Sequence, residues 1–278
     1  FPYQTQALSV SPSINEVTIE AGKTAFSELI IENNSEITTS ISLDVKAFKG
    51  GERPGVPDFI DSDEGGVTKW LLASPRSFVL GAHEKQKVSV SIAVPKKTNS
   101  GGYYLAVFAT GEPKQQNNDT ITARQSVAVL YLITVSGNTI REATISKFKV
   151  KNKFFSFFPA RFSFFIENTG PVHIQPHGQI RINAIFSPYV RTFELNPENV
   201  RVLPHSSREI TTLWTGEDLI WWSSLNPFRF GIYDAELFFD DMKLHGVLTT
   251  RFIIVSPIAI LMLFIGGVLL FMKMRKHS

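Results

Sequence analysis

Residues 37–47 have the sequence ITTSISLDVKA, in which apolar and polar side chains alternate. Ile41 and Leu43 fall on one parity, and Ser42 and Asp44 fall on the other. Successive side chains of a β-strand point to opposite faces of a sheet. The stretch therefore predicts a strand with one buried face and one solvated face.

The same alternation recurs along the chain, which predicts an all-β protein. Its clearest further examples are residues 88–94, 127–135, 162–166 and 180–186. Clusters of Gly, Asn, Ser and Pro separate these runs, and the sequence contains no amphipathic helix of convincing length. Short alternating runs divided by turn residues are typical of antiparallel β-sandwiches. We expect two tandem immunoglobulin-like β-sandwiches.

Repeated landmarks indicate that one topology is used twice. Turn residues at 136–138 separate the halves, so the first sandwich is predicted over 1–137 and the second over 138–251. Three pairs of segments match in the same order, namely 29–35 with 164–170, 80–83 with 203–206, and 102–106 with 231–235. A fixed order of similar segments is the signature of an internal repeat.

The third pair carries a Gly-x-Tyr-x-Ala pattern centred on Tyr104 and Tyr233. In immunoglobulin-like sandwiches, a tyrosine near the start of strand F bonds back to the chain a few residues upstream. It stands two residues before a core position, and Ala106 and Ala235 occupy that position here. The sequence predicts that both tyrosines form this structural corner.

A long apolar run predicts one transmembrane helix near the C-terminus. Residues 252–272, FIIVSPIAILMLFIGGVLLFM, carry no charge and would form a helix of about 31 Å, close to the hydrocarbon thickness of a bilayer. Lys273, Arg275 and Lys276 follow in the tail 273–278, so the positive-inside rule places the C-terminus in the cytoplasm. We expect a single-pass membrane protein with both sandwiches outside, the second of them next to the membrane. A chain that begins at Phe1 fits a mature exported protein that has lost its signal peptide.

Composition and motifs exclude several functions. The chain has no cysteine, and its formal net charge of +3 is partly due to the basic tail, which argues against a nucleic-acid partner. No metalloprotease motif, nucleophile elbow, phosphate loop or dinucleotide fingerprint occurs, so we expect a protein that is not an enzyme and uses no cofactor. The acidic loop at 58–64 does not match the spacing of an EF-hand. We interpret it as a solvated loop, with calcium binding left open.

Aromatic side chains are more informative than polar ones in the second half. Adjacent pairs at 154–155, 157–158 and 221–222 cannot all face inward from regular strands. We therefore predict that Phe155, Phe158, Trp221 and Trp222 contact the membrane interface or a protein partner. Capping of the sandwich core is the alternative.

The layout and several short motifs resemble those of the WxL-interacting-protein family of Gram-positive cell-surface proteins. The motifs are residues 8–13 (LSVSPS), 26–33, 94–95 with 101–103, and 168–178 leading to 202–204. The resemblance implies two immunoglobulin-like domains, a C-terminal membrane helix and a short basic tail. It also implies a first domain associated with peptidoglycan and a second associated with partner or host proteins, without assigning individual binding residues.

Together these observations predict a non-enzymatic bacterial surface protein that binds cell-wall polymer or other surface proteins in adhesion or as a scaffold. The alternative is a structural or accessory subunit of a membrane-embedded secretion, pilus or other envelope complex.

Overall fold

A computed structural model gives the structure of the chain. It describes residues 8–51, 53, 55–60, 66–113, 124–151, 154–155, 160–185, 190–214, 231–240, 248–254 and 257–276. The fold is mostly β-sandwich and divides into two compact units. The first comprises residues 1–141 with the short segments 170–173 and 203–206, and the second comprises 142–169, 174–202 and 207–278.

The first unit contains ten β-strands among the residues described. They are β1 (Leu8–Ser11), β2 (Ile14–Ile19), β3 (Thr24–Asn33), β4 (Thr39–Gly50), β5 (Pro57–Ile60), β6 (Leu71–Ser74), β7 (Ser77–Leu80), β8 (Lys85–Ala93), β9 (Gly101–Pro113) and β10 (Gln125–Val135). A short 3-10 helix, Val67–Trp70, precedes β6. One sheet has the order β1-β3-β8-β6, and the other has the order β2-β10-β9-β4-β5, with β7 also pairing with β4.

Alternation explains how these strands form a sandwich. In β3, Leu29 and Ile31 are fully buried in the core, while Glu28 and Glu32 lie on the outer face. Across the sheet, Lys87 and Lys85 of β8 form ion pairs with these two carboxylates at 3.7 and 3.2 Å. These ion pairs are exposed and contribute little stability. Burial of the apolar side chains on the inner face of the strands is therefore the main source of stability.

The second unit contains eight strands and one α-helix among its described residues. They are β11 (Ala143–Val150), β12 (Phe154–Phe155), β13 (Ala160–Asn168), β14 (Gly178–Ala184), β15 (Val190–Glu194), β16 (Ser207–Trp214), β17 (Gly231–Phe239), β18 (Leu248–Ile254) and α1 (Pro257–Lys276). The sheets have the orders β11-β13-β16 and β12-β18-β17-β14-β15. The core contains Phe162, Phe164 and Ile166, all fully buried.

The strand orders confirm the predicted repeat. β1-β3-β8 corresponds to β11-β13-β16, and β2-β10-β9-β4-β5 corresponds to β12-β18-β17-β14-β15. In each unit the first strand is divided between the two sheets, and its second part pairs in parallel with the last strand. The order agrees with an immunoglobulin sandwich, in which strands A, B, E and D face G, F and C.

An asparagine at the end of the equivalent strand of each unit donates side-chain hydrogen bonds to backbone carbonyls. Asn33 ends β3 and donates from its side chain to the carbonyls of Leu80 and Gly81, at 3.3 and 2.8 Å. Asn168 ends β13 and donates to the carbonyl of Val202 at 2.9 Å. Glu32 pairs with Lys85 in the first unit and Glu167 pairs with Ser207 in the second, which aligns Leu80 with Val202. The sequence predicts an alignment of Leu80 with Leu203, one residue later. The segments at 80–83 and 202–206 differ in sequence, so their alignment is clear only from the structure.

The C-terminal helix begins later than the sequence predicts. Phe252, Ile253 and Ile254 complete β18, and α1 begins at Pro257 rather than at residue 252. Phe252 is 1% exposed and packs edge to face against Phe162 with ring centroids 5.5 Å apart, so the core holds this part of the apolar run. In the part of the chain that the structure describes, no helix combines the length and the apolar character that crossing a membrane requires.

Candidate functional site

Tyr103 forms the hydrogen bond to the upstream backbone that the sequence predicts for Tyr104. Its hydroxyl donates to the carbonyl oxygen of Asn99, four residues upstream, at 3.0 Å. Its ring packs against Trp70 with centroids 4.6 Å apart. Leu105, two residues after Tyr103, is fully buried in the core. The corner of the first unit is therefore one residue earlier than predicted, and a shift of one residue in a strand moves a side chain to the opposite face.

Tyr104 lies on the outer face of the second sheet of the first unit. It is 8% exposed and joins a separate apolar cluster with Phe48, Ala106 and Leu132. Leu203, from a segment that belongs to the same unit, also packs on this cluster. An outer sheet face normally contacts water, so this apolar patch is an additional small core.

The hydroxyl of Tyr104 contacts His173, which belongs to the same unit. The backbone N–H of His173 donates to this hydroxyl at 2.7 Å, and the Nδ1 atom of His173 lies 3.4 Å from it. Burial raises the pKa of Tyr104 well above its ordinary value, although the bond from the His173 N–H acts in the opposite direction. The phenol therefore stays protonated at neutral pH. Because the Tyr104 hydroxyl accepts from a backbone N–H, we interpret this contact as a structural hydrogen bond.

Tyr233 occupies a core-facing position in β17. It is half-buried and stacks on Phe252 at a centroid distance of 5.5 Å, and it meets Trp214 edge to face at 6.3 Å. The residues immediately before β17 lie outside the described ranges. The predicted bond from Tyr233 to the upstream backbone therefore stays a prediction.

The predicted aromatic contact residues fall largely outside the described ranges. Phe158, Trp221 and Trp222 belong to segments that are not described, and for Phe155 only the backbone in β12 is described. Their contact with a membrane or a partner stays a prediction. The acidic loop at 58–64 is also described only in part. Within the described residues, no group of three or more His, Asp or Glu side chains could hold a metal ion.

The helix α1 exposes large apolar side chains. The exposed fraction is 78% for Leu263, 69% for Phe264 and 64% for Phe271. At its C-terminal end, Lys273 and Arg275 are exposed. Lys276 is the last residue of α1, and only its backbone is described. A helix with apolar side chains around its circumference is stable when lipid or protein covers it.

An opening lies at the edge of the first sandwich, between β4 and β6. Its volume is about 260 Å³. Nine of the described residues line it: Leu43, Asp44, Val45, Thr68, Lys69, Leu71, Leu72, Ala73 and Arg76. The side chains of Leu71 and Ala73 are buried core members, whereas Lys69, Leu72 and Arg76 are exposed. The opening therefore combines an apolar floor with a charged rim.

No sequence motif marks this opening. Asp44 is 25 residues before Lys69, Arg76 is seven residues after it, and the three match no motif. They come together because the segment after the 3-10 helix crosses from one sheet to the other, with β6 pairing with β8 and β7 pairing with β4. The only sequence signal is Pro75, which separates two short strands.

Comparisons with known proteins add little to this geometry. No family model matches the chain, and no curated protein matches it. Solved structures with similarity include the class 5 fimbriae chaperone CfaA, at 13% identity over 88% of this chain and 98% of that chain, with a TM-score of 0.42. The E. coli chaperone DraB is 12% identical over 88% of this chain and 96% of that chain, with a TM-score of 0.39.

The PapD-like domain 7 of human CEP192 is a third example. It is 18% identical over 47% of this chain and 86% of that chain, with a TM-score of 0.34. At these values the similarities say nothing about the function of the chain.

Proposed function

We propose that the chain is a non-enzymatic, single-pass bacterial surface protein. Its two β-sandwiches would lie outside the cell and bind cell-wall polymer or other surface proteins, as the resemblance to the WxL-interacting proteins implies. The helix α1 would anchor the chain in the membrane, and Lys273, Arg275 and Lys276 would remain in the cytoplasm.

The exposure of α1 carries this proposal. Leu263 and Phe264 would contact water in a free chain, at a cost of about 1.5–3 kcal/mol for each side chain relative to burial. Within α1, the sequence contains no charge between residues 257 and 272. Hydrocarbon solvates such a surface, and the basic residues that follow it suit the cytoplasmic headgroups.

Carbonate extraction tests the anchor. The full chain is expressed in bacteria, and the membrane pellet is washed at alkaline pH, which releases peripheral proteins. We expect the chain to stay in the pellet, and the double variant Leu263→Arg/Phe264→Arg to be released because two charges would enter the apolar run. Met274→Arg is the matched control, since Met274 is also exposed but lies between Lys273 and Arg275. Release of the unmodified chain would exclude an integral anchor.

A second candidate is a structural subunit of a membrane-embedded envelope complex, in which a partner helix covers α1. The same apolar exposure favours it, because a protein surface buries a helix as well as lipid does. Purification from mild detergent separates the candidates. A stoichiometric membrane partner would support the subunit, whereas wall-bound material without such a partner would support the surface-binding protein.

A further inference from the structure

We propose that the free edge of β6 in the first unit binds an extended acidic peptide segment of a partner protein by adding it as a strand. The inference rests on the proposed binding function and names the surface and the chemical class of partner. The contacts that carry it are those of β6, the opening beside it and the two cationic side chains at its ends.

The edge of β6 offers unpaired backbone groups. Among the strands described, β6 pairs only with β8 and ends that sheet. The N–H of Leu71 turns away from β8 and donates to the carbonyl of Thr68. Backbone groups of alternate residues in an antiparallel strand point the same way, so the N–H and C=O of Ala73 also point to the open side. They are positioned to pair with an incoming strand.

The opening accepts an inward side chain of that strand. A residue placed opposite Ala73 would share its face and point toward the floor formed by Leu43, Val45 and Leu71. On this side of β4, β7 pairs with residues 39–42, the N–H of Leu43 donates to the carbonyl of Arg76 at 2.8 Å, and β5 pairs with 47–50. No described strand pairs with residues 44–46 on this side. A volume of about 260 Å³ is sufficient for a side chain of medium size.

On the outer face of the same sheet, Phe26, Ser91 and Leu72 form a cross-strand row that an added strand would extend. Ser91 of β8 lies between Phe26 of β3 and Leu72 of β6 in the cross-strand register. Phe26 is 81% exposed and Leu72 is 49% exposed. A strand added beside β6 would place an outward side chain next to Leu72 and remove part of it from water.

Charge favours an acidic segment. Lys69 precedes β6 and Arg76 follows it, and both line the opening; among the described residues that line it, Asp44 is the single carboxylate. The charges of these three described side chains sum to one positive charge at neutral pH. Within the described residues, neither Lys69 nor Arg76 forms an ion pair, so both are available to a carboxylate of the partner.

Peptide binding to the full chain in detergent micelles tests the proposal. The probes are two fluorescent linear peptides of about eight residues, one alternating Val with Asp and one alternating Val with Lys. Anisotropy gives the affinity, and amide exchange locates the contact. We expect the Asp peptide to bind at least tenfold more tightly than the Lys peptide and to slow exchange at Ala73.

Two variants test whether the peptide binds at the edge of β6. Lys69→Glu/Arg76→Glu should weaken binding of the Asp peptide tenfold or more, whereas the control Lys96→Glu/Lys97→Glu, which changes the same charge at exposed positions of the same unit, should not. Ala73→Pro removes the outward N–H while leaving the β6–β8 ladder intact, since its N–H does not face β8. It should also weaken binding.

Three results would overturn the inference. They are equal binding of the two peptides, unchanged exchange at Ala73, and equal loss in the control variant. In the absence of peptide, slower amide exchange at Ala73 at higher protein concentration would show that a second copy of the chain binds the edge of β6 instead. Retention of the chain in carbonate-washed membranes does not depend on any of these results. The peptide-binding proposal and the membrane-anchor proposal can therefore be refuted separately.

Discussion

Replacing Asn33 with alanine should destabilise the first unit strongly. Asn33 is 1% exposed, and its amide nitrogen donates to the carbonyls of Ile37 and Gly81, both at 2.8 Å. A longer contact of 3.3 Å reaches Leu80, and its oxygen accepts from the hydroxyl of Ser35 at 2.7 Å. Each bond contributes about 1 kcal/mol net, and a buried carbonyl left without a donor costs about 1–3 kcal/mol. We expect a loss of about 2–4 kcal/mol.

The assay must report on each unit separately, because a chain with two compact units need not unfold in a single step. Amide exchange at the most protected positions of β3 and β8 gives the free energy of opening of the first unit. Asn99→Ala is the matched control, since this asparagine has an exposed side chain in the same unit. A difference below about 0.5 kcal/mol between the two variants would refute the reasoning. Asn168→Ala should lower the stability of the second unit, measured in β13, and leave the first unchanged.

Tyr104→Phe should lower the free energy of unfolding of the first unit by about 1–3 kcal/mol, because the buried N–H of His173 loses its acceptor. Tyr103→Phe should lower it by about 1 kcal/mol or less, because the bond that is lost is exposed. The reverse order in amide exchange would contradict the assignment of the two tyrosines. A hydrogen bond from Arg251 holds the pKa of the Asp234 carboxyl below its ordinary value, so its contribution is present above about pH 4 and is lost as pH falls through the lowered pKa. The stability difference between the unmodified chain and Asp234→Asn should therefore shrink below about pH 4, and a constant difference from neutral pH to about pH 2 would exclude this effect.

Alternation in the sequence predicted the strands well where one sheet face is wet and one is buried. β4 is the clearest case, because Ile41 is buried and Ser42 is exposed, as their parities indicate. The tyrosines in β9 were harder to assign because this central strand is buried on both faces around residues 104–107. Without alternation, Tyr103 and Tyr104 are indistinguishable by pattern.

The start of the helix and the opening beside β6 could not be predicted for different reasons. An apolar run does not show where a buried strand ends and a helix begins, and here the packing of Phe252 in the core decides it. The opening depends on strand pairings that bring Asp44 and Arg76 together from separate segments. Local sequence patterns do not predict such long-range contacts.

Protease treatment of sealed cells tests the proposed surface topology most directly. The full chain carries an epitope after Ser278, and an added protease reaches only what lies outside the membrane. A membrane anchor at α1 predicts that both sandwiches disappear and that a short protected fragment with the epitope remains. Permeabilised cells provide the control, in which the epitope should also be lost. Protection of either sandwich in sealed cells, or loss of the epitope there, would contradict the proposal.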